Sequence, residues 1–142
     1  MAHTLATVRD QLENRLVDST NIFFSTNVLD EAIRAALNEI SNAYGTALTL
    51  NGLDGAAATT FADMDLNALI VGAMAYACRF RLIDKFEEAS PVREHPEDLA
   101  KWATDFMQDF LALTTGIKLR KFQENTNTPY AAWDWEEGDD FT

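Results

Sequence analysis

Histidine and cysteine, the side chains most used for proton transfer, nucleophilic attack and zinc binding, are scarce in this 142-residue sequence: His3, His95 and Cys78 are the whole supply. A nucleophilic cysteine needs a base that holds it as thiolate. Neither histidine has a spacing that ties it to Cys78, which sits inside the apolar run 68–78 and reads as a buried structural thiol. His3 belongs to a frayed end and His95 to the turn Glu94-His95-Pro96, and together the three residues cannot fill a zinc site at any recognised spacing. Asp63-Met64-Asp65-Leu66-Asn67 opens like a calcium loop, D-x-D-x-N. The loop then needs glycine where Ala68 stands and a bidentate glutamate where Met74 stands, so the acids read as helix caps, Asp63 or Asp65 being the cap itself. Asp105 and Asp109 lie one helical turn apart beside Phe106 and Phe110, the arrangement of a solvated face. No Glu-x-x-His pair, phosphate loop, nucleophile elbow or dinucleotide fingerprint is present. The sequence offers no enzyme, no cofactor site and no metal site.

Charge narrows the partners. There are 23 acids against 11 bases, net −12. A protein that grips phosphates by charge is basic, so this one repels nucleic acid unless its bases cluster. They do so in one place, Lys118, Arg120 and Lys121, a candidate contact cluster. A single cysteine makes no intrachain disulfide, which suits a reducing cytoplasm. The first residues lack the basic and apolar blocks of a signal peptide, and the run 68–78 is about half a membrane span, so a soluble chain with no membrane partner is expected. The length is that of one domain, able to bury roughly 70% of its unfolded surface without help from metal or disulfide.

The elements follow from periodicity. Leu5, Val8, Leu12 and Leu16 recur at helical steps, and helix one is expected over 5–17 from Thr4 or Thr7. Asp18-Ser19-Thr20-Asn21 is a loop of residues that bond their own backbone. Ile22-Phe23-Phe24 leads into the best-written helix of the chain, 26–44. There Ser25 is the N-cap, Leu29, Ala32, Ile33, Ala36, Leu37, Ile40 and Tyr44 form one stripe, and Gly45 is the stop. A short β-prone piece, 46–50, meets the turn pair Asn51-Gly52; with 56–61 it predicts a small hairpin or an ordered loop. Helix three is expected over 66–89, apolar all round to Arg79, with Gly72, Ala73, Ala75 and Ala77 permitting close approach of other helices. Its stripe runs through Leu66, Leu69, Ile70, Ala73, Met74, Ala77, Phe80, Ile83 and Phe86. Helix four starts at Pro96 and carries Leu99, Trp102, Ala103, Phe106, Met107, Phe110, Leu113 and Ile117; Gly116 is a point to end or bend it, with a further turn through 118–122.

The fold class is therefore mainly α: a four-helix domain over 1–124, a short hairpin or loop insert between helices two and three, and an extended arm over 125–142. The arm joins through the polar 125–129 and then holds five acids, no base and four large aromatics. Disordered ends are usually poor in aromatics. Tyr130, Trp133, Trp135 and Phe141 accordingly read first as anchors that dock on a partner, ahead of packing on the chain itself or an idle end.

The stretch Phe24-Ser25-Thr26-Asn27-Val28-Leu29-Asp30-Glu31-Ala32-Ile33-Arg34-Ala35-Ala36-Leu37-Asn38-Glu39-Ile40, with the leading Val8-Arg9-Asp10-Gln11-Leu12, resembles the N-terminal half of bacteriophage head–tail adaptor (connector, or head completion) proteins of long-tailed phages. They share an aromatic-Ser/Thr-polar-x-x-Leu-x-x-Ala-Ile/Leu-x-x-Ala-Leu pattern. The motif covers 12–40; the order of elements after it is similar too, while the Trp-rich acidic arm departs from the family pattern. The resemblance implies a structural virion protein at the head–tail junction, made in the host cytoplasm. Its copies, usually twelve, form a homo-oligomeric ring beneath the portal protein. The ring extends the DNA channel and receives the next neck or tail-completion protein, and DNA passes through without specific binding. A second reading, carried by the charge, is a small acidic phage or bacterial regulator or inhibitor that binds a single host protein, in one form as a DNA mimic.

Overall fold

The computed structural model describes residues 3–16, 24–87 and 96–124. These form four helices, α1 (Leu5–Leu16), α2 (Thr26–Tyr44), α3 (Leu66–Glu87) and α4 (Pro96–Glu124), and a 3₁₀ turn, Asp63–Asp65, leads into α3. The domain is mainly α, as the periodicity predicts. No strand occurs among the described residues; the one β-like feature is an isolated parallel bridge between Thr4 and Asn51.

Helix α2 forms where its signals place it. Ser25 is extended (φ −67°, ψ 157°) and its Oγ accepts from the Val28 N–H at 3.3 Å, which satisfies one orphan first-turn donor. At the other end Gly45 turns left-handed at φ +81° and donates its N–H to the Ser41 carbonyl at 2.9 Å. Leu29, Ala32, Ile33, Ala36, Leu37, Ile40 and Ala43 are buried between the caps, and Tyr44 is half-buried. Each large member of such a stripe, once out of water, contributes about 1.5–3 kcal/mol. The start of α1 is tied by a reciprocal pair: Thr7 N–H donates to Thr4 Oγ1 at 3.3 Å and Thr4 N–H to Thr7 Oγ1 at 2.9 Å.

Helix α3 is the central element, packed against α2 on one side and α4 on the other, with α1 also against it. Ala68, Leu69, Ile70, Gly72, Ala73, Met74, Ala75, Ala77 and Cys78 are all buried. By length and composition alone the segment Asp63–Ile83 reaches the dimensions of a membrane span. In this fold its apolar surface is what joins the other helices. Ile83, counted in the stripe above, is 51% exposed.

The insert is an ordered loop and not a hairpin. Asn51-Gly52 does turn the chain, Gly52 at φ +94°, but Asp54 (φ +54°) and Gly55 (φ +80°) extend the left-handed backbone, so no return strand pairs. Threonines replace the ladder: Thr49 N–H donates to Thr60 Oγ1 at 2.8 Å, and Asn51 N–H to Thr59 Oγ1 at 3.0 Å. Leu50, Leu53 and Phe61 anchor the loop in the core. The Asn51 carbonyl accepts the Leu5 N–H at 2.8 Å, so the loop also holds the start of α1. For that reason His3 is not frayed. Its ring stacks on Phe61 at 6.4 Å, Nε2 stands 3.3 Å from Asp63 Oδ1, and its carbonyl accepts from the Thr59 hydroxyl.

Helix α4 passes through Gly116 without ending and runs to Glu124. Leu99, Phe110, Thr114 and Ile117 are its buried line, with Ala103, Phe106, Met107 and Leu113 partly covered beside it. Trp102 stands at the edge of that line and is 55% exposed, not in the core.

Candidate functional site

One polar cluster ties the C-terminal halves of α2 and α4 to the turn before α3. Asp65 is 3% exposed, and it does not cap a helix as the sequence suggests. Its carboxylate receives a fork from Arg120, Nη1 to Oδ1 at 2.9 Å and Nη2 to Oδ2 at 2.7 Å, and a further bond from the Tyr44 hydroxyl. The Tyr44 oxygen in turn accepts the Ala62 N–H at 3.1 Å. Lys121 Nζ lies 4.3 Å from the centroid of the Tyr44 ring and 3.4 Å from Glu124 Oε2. Burial raises the Asp65 carboxyl, but the Arg120 and Tyr44 bonds outweigh it and leave the group below the usual aspartate range. Burial and the bond to Asp65 push the Tyr44 phenol up. The cluster is a charge-paired brace in which Arg120 is spent on Asp65, and Lys121 stands between the Tyr44 ring and Glu124.

The candidate contact cluster thus divides. Arg120 is committed to Asp65 and Lys121 to Tyr44 and Glu124, whereas Lys118 is exposed. A separation of 55 positions hides the pairing of Asp65 and Arg120 from any local pattern. Tyr130, Trp133, Trp135 and Phe141, the expected docking anchors, lie outside the described residues, as does His95. Cys78 is fully buried in α3. Asp105 and Asp109 are exposed. Among the described residues no three His, Cys, Asp or Glu side chains converge as a metal site would require.

Two open grooves border the C-terminal half of α2. One is lined by Asn38, Ser41, Asn42 and residues 45–48, the other by Arg34, Leu37, Leu50, Leu53 and Asp54. In the second, Arg34 already forks onto Asp54 at 2.6 and 2.9 Å. Neither groove gathers groups that would do chemistry on a ligand.

The surface feature that the sequence reading passed over is the outward side of α4. Leu111 is 55% exposed, Leu119 58% and Phe122 42%. With Thr115 they recur at steps of three and four, a second stripe on the side away from Phe110. The spacing was readable, but the stronger stripe through Phe106, Phe110 and Ile117 masks it. No family model matches this chain, and no curated protein or solved structure matches it either.

Proposed function

We propose that the chain is a structural virion protein, a head–tail adaptor whose copies assemble as a ring under the portal, extend the DNA channel and join the neck or tail. The observation that carries this reading is the block 24–40, whose pattern resembles that of the adaptor proteins, inside a similar order of elements: leading helix, capped helix, insert, long central helix, further helix. Two physical features support it. The outward stripe of α4 is apolar surface of the kind that assembly covers. The acidic balance suits a wall along which DNA slides by repulsion. In this reading Tyr130, Trp133, Trp135 and Phe141 reach the portal or a neighbouring subunit, and twelve copies is the number the resemblance implies.

Electron microscopy of the full-length protein mixed with its cognate portal tests the proposal. Extra ring density beneath the portal is the expected result. A portal that stays bare, with the protein instead recovered in a stoichiometric complex with one host protein, would support the acidic-regulator reading that the net charge of −12 favours.

A further inference from the structure

We infer that the outward face of α4 is the docking surface for the chain's own C-terminal arm, residues 125–142, folded back in cis along the helix that it follows. The face has a defined chemistry. Leu111, Leu119 and Phe122 stand 42–58% exposed along it. Thr115 spends its hydroxyl on the Leu111 carbonyl at 2.8 Å, one turn back along the same helix. Lys118 flanks the stripe and Lys101 lies on the same arc near its N-terminal end, both exposed. Between residues 100 and 122 that arc holds no acid; Asp105 lies just beyond its edge, one turn from Lys101, and Asp109 farther round the helix. In a chain of net −12 this is an acid-free, apolar surface with positive charge beside it.

The arm is its complement. It carries five acids, no base and four large aromatics. It also starts at the right place, directly after Glu124 at the end of α4. Asn125-Thr126-Asn127-Thr128-Pro129 are residues that reverse a chain readily. Trp133 and Trp135 follow Glu124 by nine and eleven residues, a reach of up to about 30 and 36 Å. Leu111 lies thirteen residues back up the helix, only about 20 Å away. A tethered segment works at an effective concentration of order mM, so modest contacts suffice to seat it. A second copy laid face to face would bring lysines against lysines, which the acidic arm avoids. The inference stands whether or not the chain is a neck protein. Where it is one, a portal groove that captures the rings would also uncover α4.

The test uses the full-length chain with Trp102→Phe, which leaves Trp133 and Trp135 as the only indoles and alters a residue that is 55% exposed. Acrylamide quenching and the emission maximum are compared with those of the same chain carrying Leu111→Glu and Leu119→Glu, with circular dichroism as the check on helicity and light scattering as the check on mass. The expected result is an emission red shift and a severalfold rise in quenching at unchanged helicity and monomer mass. Lys118→Glu alone is a second, milder variant and should move both readouts the same way. Equal quenching in the parent chain and in all variants would overturn the proposal. So would protection that appears only as the mass rises with concentration, because the arm would then sit on another copy.

Discussion

The ring of Phe110 lies against the backbone of Gly72. A Cβ added at residue 72 would stand 2.5–2.8 Å from three carbons of that ring, well inside van der Waals contact. The ring has little room to yield. Phe110 is 1% exposed and meets Tyr76 edge-on, with centroids 6.2 Å apart. The missing side chain at 72 is thus what lets α3 and α4 approach this closely, the use that a small-residue run on a central helix suggests.

Gly72→Ala should therefore destabilise the domain despite its better helix propensity. Overpacking costs about 1–3 kcal/mol, while alanine recovers about 1 kcal/mol in a helix interior, for a net loss of up to roughly 2 kcal/mol, at the upper end for a Cβ placed this close to a ring held by its neighbours. Urea unfolding followed by circular dichroism reads this as a lower midpoint at unchanged slope. A midpoint at or above that of the parent would mean that the helices separate in solution more easily than this packing implies.

The same substitution forty-four residues on should have the opposite sign. Gly116 is exposed in mid-α4, and nothing lies within 4 Å of an added Cβ. Its φ is ordinary and the helix runs on past it to Glu124. Gly116→Ala should then raise stability by close to 1 kcal/mol, mostly by reducing the freedom of the unfolded chain. If the variant were no more stable, α4 would have to end or bend at Gly116, as the sequence alone suggests.

The difference between those two glycines marks what was legible in the sequence. Caps and stripes are local, so Ser25, Gly45 and six of the seven buried residues of α2 could be read from spacing, Ala43 being the one missed. The identity of the neighbour across a helix face is not local. Gly116 and Gly72 look alike as letters, and only the docking of α4 on α3 separates them. Asp65 is the same kind of case. An acid before an apolar helix has a common local meaning, capping, and a distant arginine overrode it. In the insert, Asn51-Gly52 gave the turn, but Asp54 at φ +54° is a left-handed position that the sequence does not announce, and it decided for loop over hairpin.

Leu37→Asp tests the register of α2 directly. Leu37 is 5% exposed and belongs to the core cluster. A carboxylate there would be desolvated among apolar side chains, a change expected to cost more than about 4 kcal/mol and to unfold a domain of ordinary stability. The far-ultraviolet dichroism of the variant should collapse. A soluble variant of unchanged helicity would show that Leu37 faces water.

The Asp65–Arg120–Tyr44 brace should limit stability at both ends of the pH scale. The folded carboxyl of Asp65 sits below its ordinary value, near 3.9 when unfolded. Its contribution is therefore present in full above about pH 4 and drains away as pH falls through the lower folded value. Tyr44 is the mirror case. Its phenol is raised above about 10 when folded, so its contribution is present below about pH 10 and is lost as pH climbs through the folded value. Asp65→Asn should flatten the acid limb of a stability–pH curve and lower the plateau. Arg120→Met leaves the Asp65 charge buried and half-satisfied, and should cost about 3 kcal/mol near neutrality. The cost takes the low end of that range because the Arg120 side chain is itself 29% exposed. It should also shrink as the solution is acidified, because protonation of Asp65 relieves the orphaned charge. Unfolding midpoints for parent and variants between pH 2 and 11 check both limbs. An acid limb for Asp65→Asn that superimposes on the parent would place the controlling carboxylate elsewhere.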